Sequence, residues 1–169
     1  CFCAFTSLRY SDVVEVRRTD IHDGVLTITT QKTHDRLPIV LHKNAQTILE
    51  KYKDKEFPGN RALPYMTNQQ MNRCLKDLCE ICEFNTPVKI TLYRNGVRHD
   101  DVFPKWSQVG THTGRKTFIC FALSNGIAPD VVMKFTGHCD YKSMRPYIDI
   151  TESAKKDAIK KLEKIWDAE

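Results

Sequence analysis

The richest chemical pattern in the sequence is the stretch GTHTGRKTF at residues 110–118. His112 and Arg115 are three positions apart, so on a helix their side chains share one face. We expect this helix to begin at His112, where the free N–H groups of the first turn and the helix dipole favour an anion such as phosphate. The same spacing also occurs at the start of ordinary surface helices, so this pattern alone does not establish a site.

Other side chains that bind phosphate or transfer protons stand at well-defined points of the chain. Arg9 lies beside a helix start in TSLRYSDV, and Lys32 lies in the polar hairpin tip QKTHDR. His138 follows the glycine turn of TGH, and Tyr147 comes nine positions after His138. Each lies in a segment with a clear local structure. Their order along the chain is therefore informative.

Taken in order, the series R, K, H-x-x-R, G-H and Y resembles the catalytic domain of the tyrosine recombinases, the phage-integrase family. The resemblance covers residues 1 to about 150 without a gap. The block usually written TGLR is TSLR here, and the LGH-like turn is TGH, with Thr136 in place of Leu. The resemblance implies six catalytic residues, namely Arg9, Lys32, His112, Arg115, His138 and Tyr147, with Asp12 as a supporting acidic residue.

The implied activity is cleavage and rejoining of double-stranded DNA through a 3′-phosphotyrosyl intermediate. Two arginines can bind the non-bridging phosphate oxygens bidentately, while His138 holds another oxygen by a hydrogen bond. His112 is expected to accept the proton of the Tyr147 hydroxyl, and Lys32 to protonate the departing 5′ oxygen. No cofactor and no metal are expected, because neither a Walker-type glycine loop nor a carboxylate triad for magnesium is present.

Tyr141 also follows His138 and is the alternative nucleophile. It would lie within the turn itself, whereas the nine-residue spacing of the family fits Tyr147. We therefore predict that Tyr147 is the nucleophile and that Tyr141 is a partly exposed aromatic residue.

The elements that must position these residues indicate an α+β fold, mainly helical with small antiparallel hairpins. Ser11 can cap a helix through Arg18, and Asn95-Gly96 is a strong hairpin signal. The remaining predicted elements are two strands flanking QKTHDR, helices from Asn44 to about Lys53 and from about Thr67 to Phe84, a helix from His112 through Leu123, a shorter one from Pro129 to Gly137, and a last amphipathic helix from Thr151.

The chain has seven cysteines, an odd and scattered number without a secretory signal, which favours a reducing intracellular compartment. Cys79 and Cys82 form a C-x-x-C pair that could begin a zinc site. No second pair completes four ligands, and Cys74, Leu75, Leu78 and Cys82 recur at helical spacing. We therefore predict that this stripe packs into the core.

The composition, with 41% apolar and 28% charged residues, excludes collagen-like, disordered and membrane-spanning proteins. The net charge of +5 is concentrated in residues 86–118, which hold six basic and two acidic side chains. This segment is either a solvated basic hairpin or part of a DNA-binding surface. As DNA-binding residues we predict Lys89, Arg94, Arg98 and Lys116, in a protein that acts on DNA in the cytoplasm.

We expect residues 1–150 to form the catalytic domain, with the family's N-terminal core-binding domain missing upstream of Cys1. Residues 151–169 form an amphipathic tail that either packs on its own domain or docks on a neighbouring subunit. We expect a monomer in solution and a tetramer on paired DNA sites. Two other functions remain open, a type IB topoisomerase with the same chemistry and a catalytically silent DNA-binding module.

Overall fold

The computed structural model describes residues 1–32, 34–138 and 140–148, together with 159, 160, 163 and 167. Helices α1 (Phe2–Thr6) and α2 (Tyr10–Val13) come first, followed by strands β1 (Ile21–His22), β2 (Val25–Thr29) and β3 (Arg36–Val40). Helices α3 (Lys43–Lys51) and α4 (Asn68–Ile81) precede strands β4 (Pro87–Arg94) and β5 (Val97–Pro104). Helices α5 (Thr111–Ser124), α6 (Pro129–Thr136) and α7 (Arg145–Ile148) follow. The predicted mixture of helices and small antiparallel sheets is confirmed.

The first sheet has the order β1-β2-β3, and both of its pairings are antiparallel. Asp23 and Gly24 connect β1 to β2 with positive φ angles of 49° and 74°, as a tight hairpin turn requires. Alternate residues of β2 and β3 face inward, because side chains along a strand point to opposite faces. Leu26 and Ile39 are almost completely buried in the larger core, which α1 and α3 complete.

The second sheet is the exposed hairpin β4–β5, with Asn95 and Gly96 in its two-residue turn at φ angles of 50° and 78°. Both angles lie in the left-handed region, which explains why the Asn-Gly pair predicted this turn correctly. The hairpin pairs Pro87 with Pro104 at its base and Arg94 with Val97 at its tip.

Helix α5 packs closely on α1 and also contacts α4, α6 and α7. A Cβ atom added to Gly114 would lie only 2.9 Å from Cβ of Cys3, so the glycine permits this approach. A second core of Ile119, Ala122, Val132 and Met144 joins α5 to α6 and to the turn before α7. Helix α5 therefore links the N-terminal residues to the C-terminal elements.

Two local predictions were wrong. Helix α2 begins after Arg9, which adopts an extended backbone as its N-cap, and it ends at Val13, so Ser11 does not cap a helix that reaches Arg18. Helix α4 fully buries none of its residues, and Leu78 and Cys82 of the predicted core stripe are exposed. An amphipathic pattern identifies an apolar face but not the element that covers it.

The predicted helix from Thr151 falls almost entirely outside the described residues. In the part of the chain that the structure describes, no helix combines the length and apolar character needed to cross a membrane.

Candidate active site

Arg9 and Asp12 form the first part of the site, at the start of α2. The Arg9 Nη1 atom lies 3.9 Å from Oδ2 of Asp12, whose side chain is 1% exposed. Among the described residues, both of these buried atoms lack a hydrogen-bond partner. The other carboxylate oxygen, Oδ1, accepts a bond of 2.9 Å from the backbone N–H of Gln31. Asp12 therefore links the arginine to the loop between β2 and β3.

Arg115 is the central cation and is 1% exposed, which is rare for an arginine without specific partners. Its Nη1 donates to the Ser7 carbonyl at 2.7 Å, and its Nη2 donates to the Thr136 carbonyl at 2.6 Å. Burial and the nearby charge of Arg9 lower the pKa of Arg115 to about 10, so it still carries its charge at neutral pH. The two carbonyls fix the plane of the guanidinium group.

Ser7 provides one of these carbonyls from an unusual backbone conformation. Its φ of 62° lies in the left-handed region, which favours glycine. The Ser7 hydroxyl donates to the carbonyl of Phe135 at 2.8 Å, which helps to hold this geometry. The serine of TSLR thus keeps a conformation that suits the glycine of the more usual TGLR block.

His138 lies beside Arg115, after the left-handed turn at Gly137 that ends α6. Its Nε2 is 3.3 Å from Arg115 Nη2, and its Nδ1 is 2.7 Å from the hydroxyl oxygen of Thr136. Burial lowers the pKa of His138 to about 4, with further lowering from the charges of Arg115 and Arg9. The ring is therefore neutral at neutral pH.

His112 lies in the first turn of α5, on the same helix as Arg115. Asn72 of α4 fixes this end of the helix, since its side-chain oxygen accepts from the backbone N–H of Thr111 at 2.8 Å. Burial, followed by the charges of Arg115, Lys116 and Arg9, lowers the pKa of His112. A neutral imidazole at this position can accept a proton.

Tyr147 lies in α7 and packs partly buried against the second core beside α5. Tyr147 lies close enough to Arg115 to raise the pKa of Arg115, against the larger lowering by burial and by Arg9. Tyr141 instead lies in the single-turn 3₁₀ helix Tyr141–Ser143 and is 57% exposed. The structure therefore associates Tyr147, and not Tyr141, with the arginine of α5.

Lys32 is exposed in the turn that follows β2, next to Gln31, whose backbone is bonded to Asp12. Among the described residues, no hydrogen bond or ion pair joins the Lys32 side chain to the arginines and histidines of the site. Sequence reasoning missed the contributions of Ser7, Gln31, Asn72 and the Thr136 hydroxyl, because none carries a local signal for its distant partner.

The residues predicted to bind DNA differ in their surroundings. On one face of the β4–β5 hairpin, Asp100 accepts from the Thr91 hydroxyl at 2.6 Å, from Lys89 at 2.9 Å and from Arg98 at 3.0 Å. The bond from Thr91, followed by those from Lys89 and Arg98, lowers the pKa of Asp100. Arg94 and Lys116 are exposed. The register fixed by the Asn-Gly turn places Thr91 opposite Asp100, so this ion-pair network could have been found from the sequence.

Across the described ranges, no three His, Cys, Asp or Glu side chains are arranged to hold a metal ion. In the C-x-x-C pair, Cys79 of α4 is half-buried, and Cys82, which follows the last residue of α4, is exposed.

The chain is similar in sequence to known tyrosine recombinases. The tyrosine recombinase XerD of Listeria monocytogenes is 25% identical over an alignment of 169 positions. The alignment covers 92% of this chain and 50% of that protein. XerD of Listeria innocua is 24% identical, with the same coverage. The chain thus spans about half the length of the curated relatives it matches. No protein-family model matches it.

Solved recombinase structures have the same fold. The chain aligns with XerA recombinase at a TM-score of 0.67 and 15% identity, over 94% of this chain and 54% of the other. The Tn1549 transposon integrase gives a TM-score of 0.70 at 13% identity, over 94% and 56% of the two chains. Lambda integrase gives 0.61 at 17% identity, over 90% and 51%.

The fold is that of a tyrosine recombinase catalytic domain, with its two arginines and two histidines gathered around helix α5. Together with the XerD relatives, this fold makes the chain similar to the catalytic domains of tyrosine recombinases and integrases.

Proposed function

We propose that this chain is the catalytic domain of a site-specific DNA recombinase or integrase, acting through a 3′-phosphotyrosyl intermediate at Tyr147. The observation that carries the proposal is the placement of Arg9 beside Arg115 in a buried site. Asp12 offsets part of this positive charge, and Nη1 of Arg9 is buried without a partner among the described residues. A phosphate group placed here would satisfy both guanidinium groups.

In the proposed reaction, the Tyr147 oxygen attacks phosphorus and the bond to the 5′ oxygen breaks. His112, which is neutral, accepts the phenol proton, and Lys32 gives a proton to the leaving 5′ oxygen. Arg9 and Arg115 stabilise the charge that develops on the non-bridging oxygens. Attack by the 5′-hydroxyl of another strand reverses these steps, so rejoining needs neither ATP nor an added cofactor.

We propose that Lys32 reaches the phosphate from the turn that follows Gln31 when DNA is bound. The bond from Gln31 to Asp12 anchors the start of this turn while leaving the lysine side chain exposed. We therefore assign Lys32 the role of general acid in a complex with DNA, rather than in the free protein.

Double-stranded DNA is the proposed partner, inside the cell. Three structural neighbours were solved with DNA: the Tn1549 integrase with circular intermediate DNA, XerH with its difH substrate, and a lambda integrase dimer with a core site. Arg94 and Lys116 are exposed and available to phosphates. Lys89 and Arg98 must share their charge with Asp100, so their contribution to DNA binding is expected to be smaller.

We also propose that the protein is monomeric in solution and forms a tetramer on paired DNA sites through residues 151–169. An apolar cavity of about 320 Å³, lined by Phe5, Phe118, Val132 and Phe135 among others, could receive the apolar face of this segment from a second copy. Deletion of the residues after Thr151 should then preserve binding to one site and abolish recombination between two. Normal recombination by the shortened protein would refute the docking.

A nicked suicide substrate tests the central proposal, because loss of the short fragment traps the covalent intermediate. The wild-type protein and Tyr141→Phe should form a covalent adduct, whereas Tyr147→Phe should bind DNA and form none. An adduct with Tyr147→Phe, or its loss in Tyr141→Phe alone, would refute the assignment. Absence of any adduct with the wild-type protein would indicate a silent DNA-binding module.

Intact DNA with two marked sites, and supercoiled DNA, separate recombination from topoisomerase activity. A recombinase joins strands from two sites, whereas a type IB topoisomerase relaxes supercoiled DNA without exchanging partners. Recombinant product from two marked sites is the expected result. Relaxation of supercoiled DNA without any recombinant product would favour the topoisomerase.

A further inference from the structure

Thr136 contributes two different groups to the site from the last residue of α6. It is fully buried, and its carbonyl accepts a hydrogen bond from Arg115. Its hydroxyl oxygen lies 2.7 Å from Nδ1 of His138 and is also within reach of the carbonyls of Val132, at 3.0 Å, and Met133, at 3.2 Å. A leucine at this position would supply the carbonyl but not the hydroxyl.

The protons of these groups can be assigned by elimination. A guanidinium group only donates, so the 3.3 Å contact between Arg115 Nη2 and His138 Nε2 requires a lone pair on Nε2. In a neutral ring, the proton is then on Nδ1 and is donated to the Thr136 oxygen. The Thr136 hydroxyl proton remains free to bond the carbonyls of α6 one turn earlier, where it is within range of Val132.

We propose that Thr136 is a positioning residue that holds His138 in the Nδ1–H tautomer, with Nε2 turned toward Arg115. The hydroxyl is fixed by its own helix and so presents its oxygen in one direction only. Replacement of the oxygen by a methyl group would leave Nδ1–H without an acceptor. The ring would then lose one of the two contacts that favour the Nδ1–H form. Only the 3.3 Å contact with Arg115 would still oppose a shift of the proton to Nε2, the nitrogen that imidazole side chains otherwise favour.

The tautomer determines how His138 can contact a phosphate. That a phosphate binds here rests on the proposed function. A neutral Nδ1–H ring cannot donate from Nε2, so it donates to a phosphate oxygen only after it takes up a proton from solvent. Arg115, Arg9 and His112 oppose that protonation and Asp140 favours it. A bound phosphate would favour it further, because an opposite charge stabilises the imidazolium. The Thr136 oxygen accepts from Nδ1–H in both forms.

Nuclear magnetic resonance on the 169-residue chain with ¹⁵N-labelled histidine tests the assignment without DNA. Two-bond ¹H–¹⁵N spectra distinguish a protonated ring nitrogen from one with a lone pair, and a His138→Gln variant identifies the His138 signals. Thr136→Val removes the hydroxyl with little change of volume. Thr136→Ser keeps the hydroxyl and is the matched control.

The wild-type chain and Thr136→Ser should both show the Nδ1–H tautomer, and Thr136→Val should shift a large fraction of the ring to Nε2–H. An Nε2–H ring in the wild-type chain would overturn the proposal even if Thr136→Val fails to fold. An unchanged tautomer in folded Thr136→Val would overturn it as well.

Cleavage assays then separate this inference from the proposed function. If the wild-type protein cleaves DNA, its rate should fall as rising pH removes the added proton from His138. The Thr136→Val rate should fall less over the same range, because a neutral Nε2–H ring still donates from Nε2, while Thr136→Ser keeps the wild-type profile. Identical profiles for all three would overturn the link between Thr136 and the phosphate contact. A protein that cleaves no DNA but shows the Nδ1–H ring would contradict the function and leave the tautomer assignment standing.

Discussion

The two arginines of the site should respond differently to the same substitution, because only one of them supports the fold. Arg115→Lys keeps the charge but replaces two nitrogens, each bonded to its own carbonyl, with one. A lysine ammonium has three donors on one nitrogen, so it cannot occupy the two nitrogen positions that bond the Ser7 and Thr136 carbonyls, and we expect at least one of these bonds to be lost. A hydrogen bond from a charged group is worth about 1.5–3 kcal/mol, so the variant should lose about that much stability.

Arg9→Lys is the matched control. The Arg9 side chain is 20% exposed, and its nearest acidic atom is 3.9 Å away, so no bonded carbonyl depends on it. Substitution there should cost about 1 kcal/mol or less. Both variants should slow DNA cleavage by about 10²-fold or more, because a lysine does not reproduce the forked contacts of a guanidinium to the phosphate.

Urea unfolding followed by circular dichroism measures the difference. With a slope of roughly 2 kcal/mol per molar of urea, the midpoint of Arg115→Lys should fall by about 1 M relative to the wild-type protein. The Arg9→Lys midpoint should fall by less than half of that. Equal midpoints for the two variants would refute the claim that the carbonyl bonds of Arg115 support the fold.

Three further predictions concern the loop, the hairpin and the buried histidine. A substrate with a 5′-bridging phosphorothiolate needs no proton on its leaving group, so it should rescue Lys32→Ala and leave Arg115→Ala impaired; equal impairment would remove Lys32 from the acid role. Asp100→Asn should strengthen DNA binding by releasing Lys89 and Arg98, and should steepen the salt dependence by about 0.9 in log–log slope for each phosphate gained. Asp101→Asn, on the opposite face of the hairpin, is its control, and an equal effect would show that only net charge matters. The pKa of His138 is about 4 in the native state and near 6.5 in the unfolded state. Between these values the unfolded state binds more protons, so the stability that this group contributes is lost as the pH falls from about 6.5 to about 4. His138→Gln should therefore lose less thermal stability than the wild-type protein between pH 7 and pH 4.5, and parallel losses would contradict the assignment.

The sequence predicted those features that depend on local backbone chemistry. The Asn95-Gly96 turn and the end of α6 at Gly137 both need positive φ angles, and both were located to the residue. The hydrophobic alternation of β2 and β3 placed the loop that carries Lys32. The types and order of the catalytic candidates were visible for the same reason, because each follows a recognisable turn or helix start.

Features that depend on distant partners were not predicted. Nothing near Arg115 in the sequence indicates that Ser7, 108 residues earlier, supplies its carbonyl. The periodicity of α4 correctly predicted a helix, but it suggested a buried stripe where Leu78 is 56% exposed. In both cases the missing information was the position of a second element, which side-chain spacing along one element does not contain.

The hydrogen bond from Arg115 to the Ser7 carbonyl also indicates where the chain could be cut into two fragments. The exposed turn at Asn95 and Gly96 separates Ser7, Arg9 and Lys32 on one side from Arg115 and Tyr147 on the other. A break at that turn would give two fragments, each holding an incomplete set of the residues that we propose to contact phosphate. Neither fragment could form the site until Arg115 of one met the Ser7 carbonyl of the other. Fused to two proteins that associate, such fragments would make DNA rejoining a readout of that association.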